Sequence, residues 1–211
     1  MKKHIIFDLD GTLIDSMPIW QNIAKQYMQK YHLTAPPNLR EIVKNQTLPE
    51  TAAYFKKQFA ISKQTDEIVT EIIAMVAQQY RHSVPLKPYA KQYLEKEKQN
   101  GSKMCILTAS EPSYIFSALK RLDIVKYFSF IATCTEMGLT KNDAEAFSIT
   151  MERLGGSKEN TIIFEDALYA INTAKKENFY VIAVALNTPL QDAPEVQNLA
   201  DKYIHSYQEL L

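Results

Sequence analysis

Six polar residues, far apart in this 211-residue chain, have types and neighbours that could do chemistry together: Asp8, Asp10, Thr108, Lys141, Glu165 and Asp166. Asp8 and Asp10 close the apolar run His4-Ile5-Ile6-Phe7. They are two apart, in the phase that puts both side chains on one side of an extended segment, with β-carbons roughly 6 to 7 Å apart. At an effective dielectric of 20, unit charges 4 Å apart repel by about 4 kcal/mol, so a pair drawn together in a cleft needs a cation. Hard oxygen ligands from one or two carboxylates, completed by waters and a substrate phosphate, suit magnesium, and Asp8 with Asp166 can supply them. A carboxylate can also attack phosphorus and divide one hard displacement into two easier ones, provided cations shield the incoming negative charge. Lys141 and the Thr108 hydroxyl are the candidate shields. A second acid must protonate the departing alkoxide and then deprotonate the attacking water, a part open to Asp10. Gly11 permits the tight turn that follows. The combination suits phosphoryl transfer.

These residues can meet only if distant segments lie side by side. His4–Phe7 reads as a short strand buried on both faces. Past Ser16 the apolar residues Ile19, Trp20, Ile23, Ala24, Tyr27, Met28 and Tyr31 recur at helical spacing, and further helices are expected at about 40–44, 49–59 and 66–82. From Pro85 the rhythm becomes helix and strand in turn: helices at 89–99, 113–122, 144–154 and 168–177, strands at 103–107, 128–132, 161–164 and 179–185. Such alternation predicts an α/β fold, a Rossmann-like parallel sheet with helices on both faces. The expected core is residues 1–14 and 86–211, with an all-helical insert over 15–85. In open parallel sheets ligands bind beyond the carboxyl ends of the strands, which gathers the six residues at one edge.

The bulk properties point the same way. Lys and Arg number 24 against 24 Asp and Glu, so no charge bias favours nucleic acid or an anionic membrane as partner. The longest apolar run, Val181 to Leu186, is too short to span a membrane. A cytoplasmic protein, monomer or homodimer, is expected. Cys105 and Cys134 read as buried residues of core strands or their ends, and the four histidines lack ligand spacing. Ser110 is a candidate cap for the helix after it, Asn142 with Glu145 for the next, and Asp15 or Ser16 for the first helix of the insert. Lys44, in Lys44-Asn45-Gln46-Thr47, is the basic residue of the insert best suited to a substrate phosphate or sugar.

The segments DLDGT (8–12), LTAS (107–110), KNDAEAF (141–147) and IFED (163–166) resemble the haloacid dehalogenase superfamily of phosphohydrolases. The likeness is strongest to its subfamily I branch of β-phosphoglucomutases and phosphoglycolate phosphatases, and the insert is similar to that branch's C1 cap. The resemblance implies that Asp8 is the nucleophile and a magnesium ligand, and Asp10 the acid/base and a ligand through its backbone carbonyl. Thr108, Ala109, Lys141 and Gly11 would bind the phosphoryl group, and Asp166, supported by Glu165, would complete the metal site. The chain departs from the branch where Ala167, Ala170 and Asn178 replace a serine and two glycines, and where Asn142 and Ala144 stand in place of prolines. The related mutases carry a His where this chain has Trp20 and an Arg near Thr47-Leu48. The expectation is a Mg2+-dependent phosphatase of a small phosphorylated metabolite (a sugar phosphate, phosphoglycolate or similar), working through an aspartyl-phosphate, with a cap hinged near residues 13–16 and 83–87. The alternatives are a phosphomutase and a non-catalytic binding or regulatory protein.

Overall fold

The computed structural model describes residues 3–43, 46–185 and 193–211, so Lys44 lies outside the described residues. The chain falls into two compact units, Met1–Asp15 with Val84–Leu211, and Ser16–Ser83.

The second unit is helical: α1 (Met17–Lys30), α2 (Leu39–Val43), α3 (Leu48–Phe59) and α4 (Thr65–His82). Helix α4 packs on both α1 and α3. Its buried stripe of Ile68, Ile72, Val76 and Tyr80 has the three-and-four spacing of one helix face. Tyr27 of α1 lies parallel to Phe55 of α3, ring centroids 5.7 Å apart. The Trp20 indole N–H donates to the Tyr80 hydroxyl at 3.0 Å, so Trp20 serves packing in this unit. Helix α3 opens with a reciprocal cap in which the Thr47 hydroxyl accepts from the Glu50 N–H and the Glu50 carboxylate from the Thr47 N–H. At α1 the capping position is Ser16, not Asp15, and its side chain makes no cap bond because Pro18 removes one of the donors there.

The first unit is built on six parallel strands: β1 (His4–Phe7), β2 (Lys103–Thr108), β3 (Ile131–Thr133), β4 (Thr161–Glu165), β5 (Tyr180–Val184) and β6 (Lys202–Ile204), in the order β3-β2-β1-β4-β5-β6. Its helices are α5 (Ala90–Gln99), α6 (Pro112–Arg121), α7 (Cys134–Met137), α8 (Ala144–Leu154), α9 (Leu168–Lys176) and α10 (Ala193–Leu199). Alternate strand residues explain why helices cover both faces. Ile6, Cys105, Leu107, Ile163 and Val181 form one core with Phe147 and Met151 of α8 and Ile171 of α9. On the other face Phe7 stacks on Phe164 at 4.7 Å, and Tyr93 of α5 meets Phe7 edge-on at 6.3 Å.

Two local expectations are corrected, and that for the cysteines holds. Strand β3 begins at Ile131 instead of 128, because Val125–Tyr127 forms a 3-10 turn and Phe128 reaches the core as a loop residue, 6.1 Å from the Phe7 ring. Cys105 is buried in β2, and Cys134 is buried at the end of β3, where it starts helix α7. Asp143, not Asn142, holds the capping position of α8, and its carboxylate binds the Thr140 N–H and hydroxyl, both at 2.8 Å. Among the described residues no helix is long and apolar enough to cross a membrane.

Candidate active site

Strand order decides where the chemistry can sit. The chain leaves β1 for β2 and β3 on one side, then crosses back to place β4 on the other, so β1 and β4 form the switch point at which parallel sheets bind ligands. Asp8 follows β1 and remains paired to β4 through its N–H and the Phe164 carbonyl, 2.9 Å. Glu165 ends β4 and Asp166 follows it. One oxygen from each of Asp8, Glu165 and Asp166 lies within 4.8 Å of the others.

Among the described residues, the lysine that enters this cluster is Lys141. Lys141, 3% exposed, donates to Asp8 Oδ1 and to Glu165 Oε2, the latter at 3.0 Å. The turn after α7 holds it: Gly138 ends α7 in the left-handed region (φ +65°), and Asp143 pins Thr140 just before the lysine. Burial alone would lower the Lys141 pKa, but Asp8 and Glu165 more than reverse it and keep the ammonium charged. The acids are not fully compensated. Burial first, and then the neighbouring Asp8, push Asp166 up to about 8 and Glu165 well above the usual carboxylate range. Asp8 Oδ2 is buried and has no hydrogen-bond partner. An orphaned carboxylate oxygen in a triad of hard oxygen donors fits a divalent cation such as magnesium.

Asp10 lies apart from that triad. The extended segment ends before it: Gly11, at φ +85°, turns the chain, and the N–H groups of Leu13 and Ile14 return to the Leu9 carbonyl. The Asp10 carboxylate accepts the Ser110 hydroxyl at 2.6 Å. This contact also displaces Ser110 from the expected capping role, and Glu111 holds the capping position of α6. Thr108 is buried; its oxygen accepts the Ser110 N–H at 3.0 Å, and among the described residues its own proton has no acceptor. Ala109 stands exposed at the turn beyond β2.

Three residues near the site escaped sequence reasoning. Thr12 donates to Asp166 Oδ1 at 3.2 Å. Lys87, buried, donates to the Ala185 carbonyl at 2.9 Å; burial lowers its pKa, with Asp15 and Asp166 opposing. Tyr169 lines a cavity shared with Lys141. Only Thr12 carried a signal, its place inside DLDGT.

Known proteins are similar to this chain along most of its length. Across 201 residues the chain is 23% identical to the phosphorylated carbohydrates phosphatase of Thermotoga maritima, covering 88% of this chain and 87% of that one. It is 24% identical to the pyrophosphatase PpaX of Oceanobacillus iheyensis over 202 residues, 96% of this chain and 91% of the relative. Its fold matches the crystal structure of a family IA, variant 3 HAD hydrolase from Entamoeba histolytica with a TM-score of 0.80 at 16% identity, covering 100% of this chain and 96% of that one. Residues 5–184 match the family described as haloacid dehalogenase-like hydrolase, a span that contains all four motif segments and the whole Asp8–Lys141–Asp166 cluster. The chain therefore belongs to the haloacid dehalogenase-like hydrolases.

Proposed function

We propose that this protein is a magnesium-dependent phosphatase that hydrolyses a small phosphorylated metabolite through an aspartyl-phosphate on Asp8. The observation that carries it is the Asp8 carboxylate, with one oxygen held by Lys141 and the other buried without a partner beside Glu165 and Asp166. Asp8, Glu165 and Asp166 are the side chains that would hold the metal, which when bound offsets their charge and that of the phosphoryl oxygens.

In the first step an Asp8 oxygen bonds to phosphorus as the ester P–O bond breaks, and Asp10 gives its proton to the leaving alkoxide. In the second, Asp10 takes a proton from water as the water oxygen bonds to phosphorus and the Asp8–P bond breaks. The Lys141 ammonium and the free Thr108 proton face the negative charge on the phosphoryl oxygens, and the Ser110 hydroxyl keeps Asp10 oriented between the two proton transfers. In this scheme the helical unit Ser16–Ser83 is the cap. A phosphomutase is the alternative, and Trp20 weighs against it: it stands at the place of the mutase histidine and donates to the Tyr80 hydroxyl. A non-catalytic scaffold has no need to retain Asp8, Asp10 and Lys141 together.

The test is inorganic phosphate release from sugar phosphates, phosphoglycolate, nucleotides, flavin mononucleotide and pyrophosphate, with magnesium or with chelator. Magnesium-dependent release, absent in Asp8→Asn, is expected. Silence from folded, metal-loaded protein across the whole panel would overturn the proposal.

A further inference from the structure

Beside the phosphoryl site, within the sheet-bearing unit, a cavity of about 540 Å³ is walled by Ala109, Cys134, Leu139, Lys141, Asn142 and Tyr169, among others. It shares Lys141 and Ala109 with the residues assigned to the phosphate, so the cavity is within reach of the organic part of a phosphate ester bound there. The polar groups of its rim are largely spoken for: the Thr135 hydroxyl donates to Glu111 at 2.8 Å and the Thr140 hydroxyl to Asp143 at 2.8 Å. What remains toward a ligand is the Asn142 amide, the small apolar surface of Ala109 and Leu139, and one aromatic ring. That ring is Tyr169, in the first turn of α9, three residues after Asp166 and 47% exposed. Half-exposed aromatics are ordinary on a surface, and Tyr89 and Tyr180 are two more. Only Tyr169 among them shares a cavity with the buried lysine.

We infer that Tyr169 is a specificity-determining residue whose ring stacks on the organic part of the substrate, selecting phosphate monoesters that carry a ring over short acyclic ones. The inference rests on the phosphatase proposal and narrows its substrate class. A flat heterocycle and the apolar face of a sugar ring both fit against a tyrosine face, and the Asn142 amide can bind the polar edge of either.

The experiment measures kcat and KM with magnesium for a nucleoside 5′-monophosphate, flavin mononucleotide, glucose 6-phosphate, phosphoglycolate and glycerol 3-phosphate. Wild type is compared with Tyr169→Ala and Tyr169→Phe, each checked for an unchanged melting temperature. Tyr169→Ala should raise KM for the ring-bearing phosphates by roughly 2- to 12-fold relative to the acyclic ones, the usual worth of an aromatic contact, with kcat held. Tyr169→Phe should restore the wild-type ratio. A larger rise for the nucleotides than for the sugar phosphate identifies the heterocycle as the stacked group, and the reverse identifies the sugar. Equal changes for ring and acyclic substrates, or none, would overturn the inference while leaving the phosphatase intact. A wild type silent on every phosphate would instead sink both.

Discussion

Each unit of this protein gathers charge around a carboxylate, and the two gatherings are built on opposite plans. In the helical unit Glu71 stands alone among donors: Tyr27 at 2.9 Å and Tyr31 at 2.5 Å on one oxygen, Lys63 at 2.7 Å and Lys30 at 3.3 Å on the other. Burial would raise its pKa, but Lys63, Tyr31, Tyr27 and Lys30 outweigh it and hold the carboxyl at about 2. In the sheet unit three acids share one lysine, and burial drives Asp166 to about 8. A carboxylate satisfied by its own chain ties three segments of the helical unit together. A cluster left with surplus negative charge and an orphaned oxygen is completed only by something bound, which is the signature of a working site.

The comparison can be broken hardest at Asp8. Asp8→Asn should lower phosphate release by on the order of 10⁶-fold, as loss of a nucleophile does elsewhere, while circular dichroism shows the fold kept. Rates within tenfold of wild type would refute the mechanism. Asp10→Asn, outside the triad, should cost about 10²- to 10⁴-fold in kcat, and a negligible loss would leave Asp10 only its bond to Ser110. Saturating magnesium, at roughly 100 times its dissociation constant, should stabilise wild type by about 2.7 kcal/mol in urea melts, and Asp166→Asn should lose most of that gain.

The two plans also predict opposite pH slopes. In chelator, Asp166 in the folded state titrates near 8 against an ordinary 3.8, so its stabilising contribution is whole below 3.8 and disappears as pH rises toward 8. Magnesium should flatten that decline. Glu71 titrates near 2 against an ordinary 4.5, so its contribution is whole above 4.5 and disappears as pH falls toward 2, with or without magnesium. Glu71→Gln should remove this acid limb and cost about 1 to 3 kcal/mol at neutral pH, the scale of charge-assisted hydrogen bonds. Tyr31→Phe, which removes one of the four donors, should cost about 0.5 to 1.5 kcal/mol. Unchanged urea midpoints in both variants would show that Glu71 is not the keystone of its unit.

The sequence by itself determined the fold class and the identity of the residues that could do chemistry. Strands covered on both faces must be written as unbroken apolar runs, which makes His4–Phe7 and Thr161–Phe164 legible, and amphipathic helices repeat at three and four, which set Ala144–Leu154. Strand β6 was illegible because it has three residues and begins at an exposed lysine, too short to show a period. Tyr89 reads as a helical residue but takes a left-handed conformation (φ +63°), a cost of about 1 to 2 kcal/mol that only the surrounding packing can offset. The partners within the site were equally hidden. Ser110 reaches Asp10 across 100 positions, Thr12 reaches Asp166 across 154 and Lys141 reaches Asp8 across 133. Local patterns record which side of an element is buried, whereas these contacts depend on which strands are neighbours. The crossing that sets β4 beside β1 brought Asp8 and the adjacent pair Glu165-Asp166 into one cluster, and only the tertiary structure holds that information, because the energy that fixes strand order is spread over the whole core.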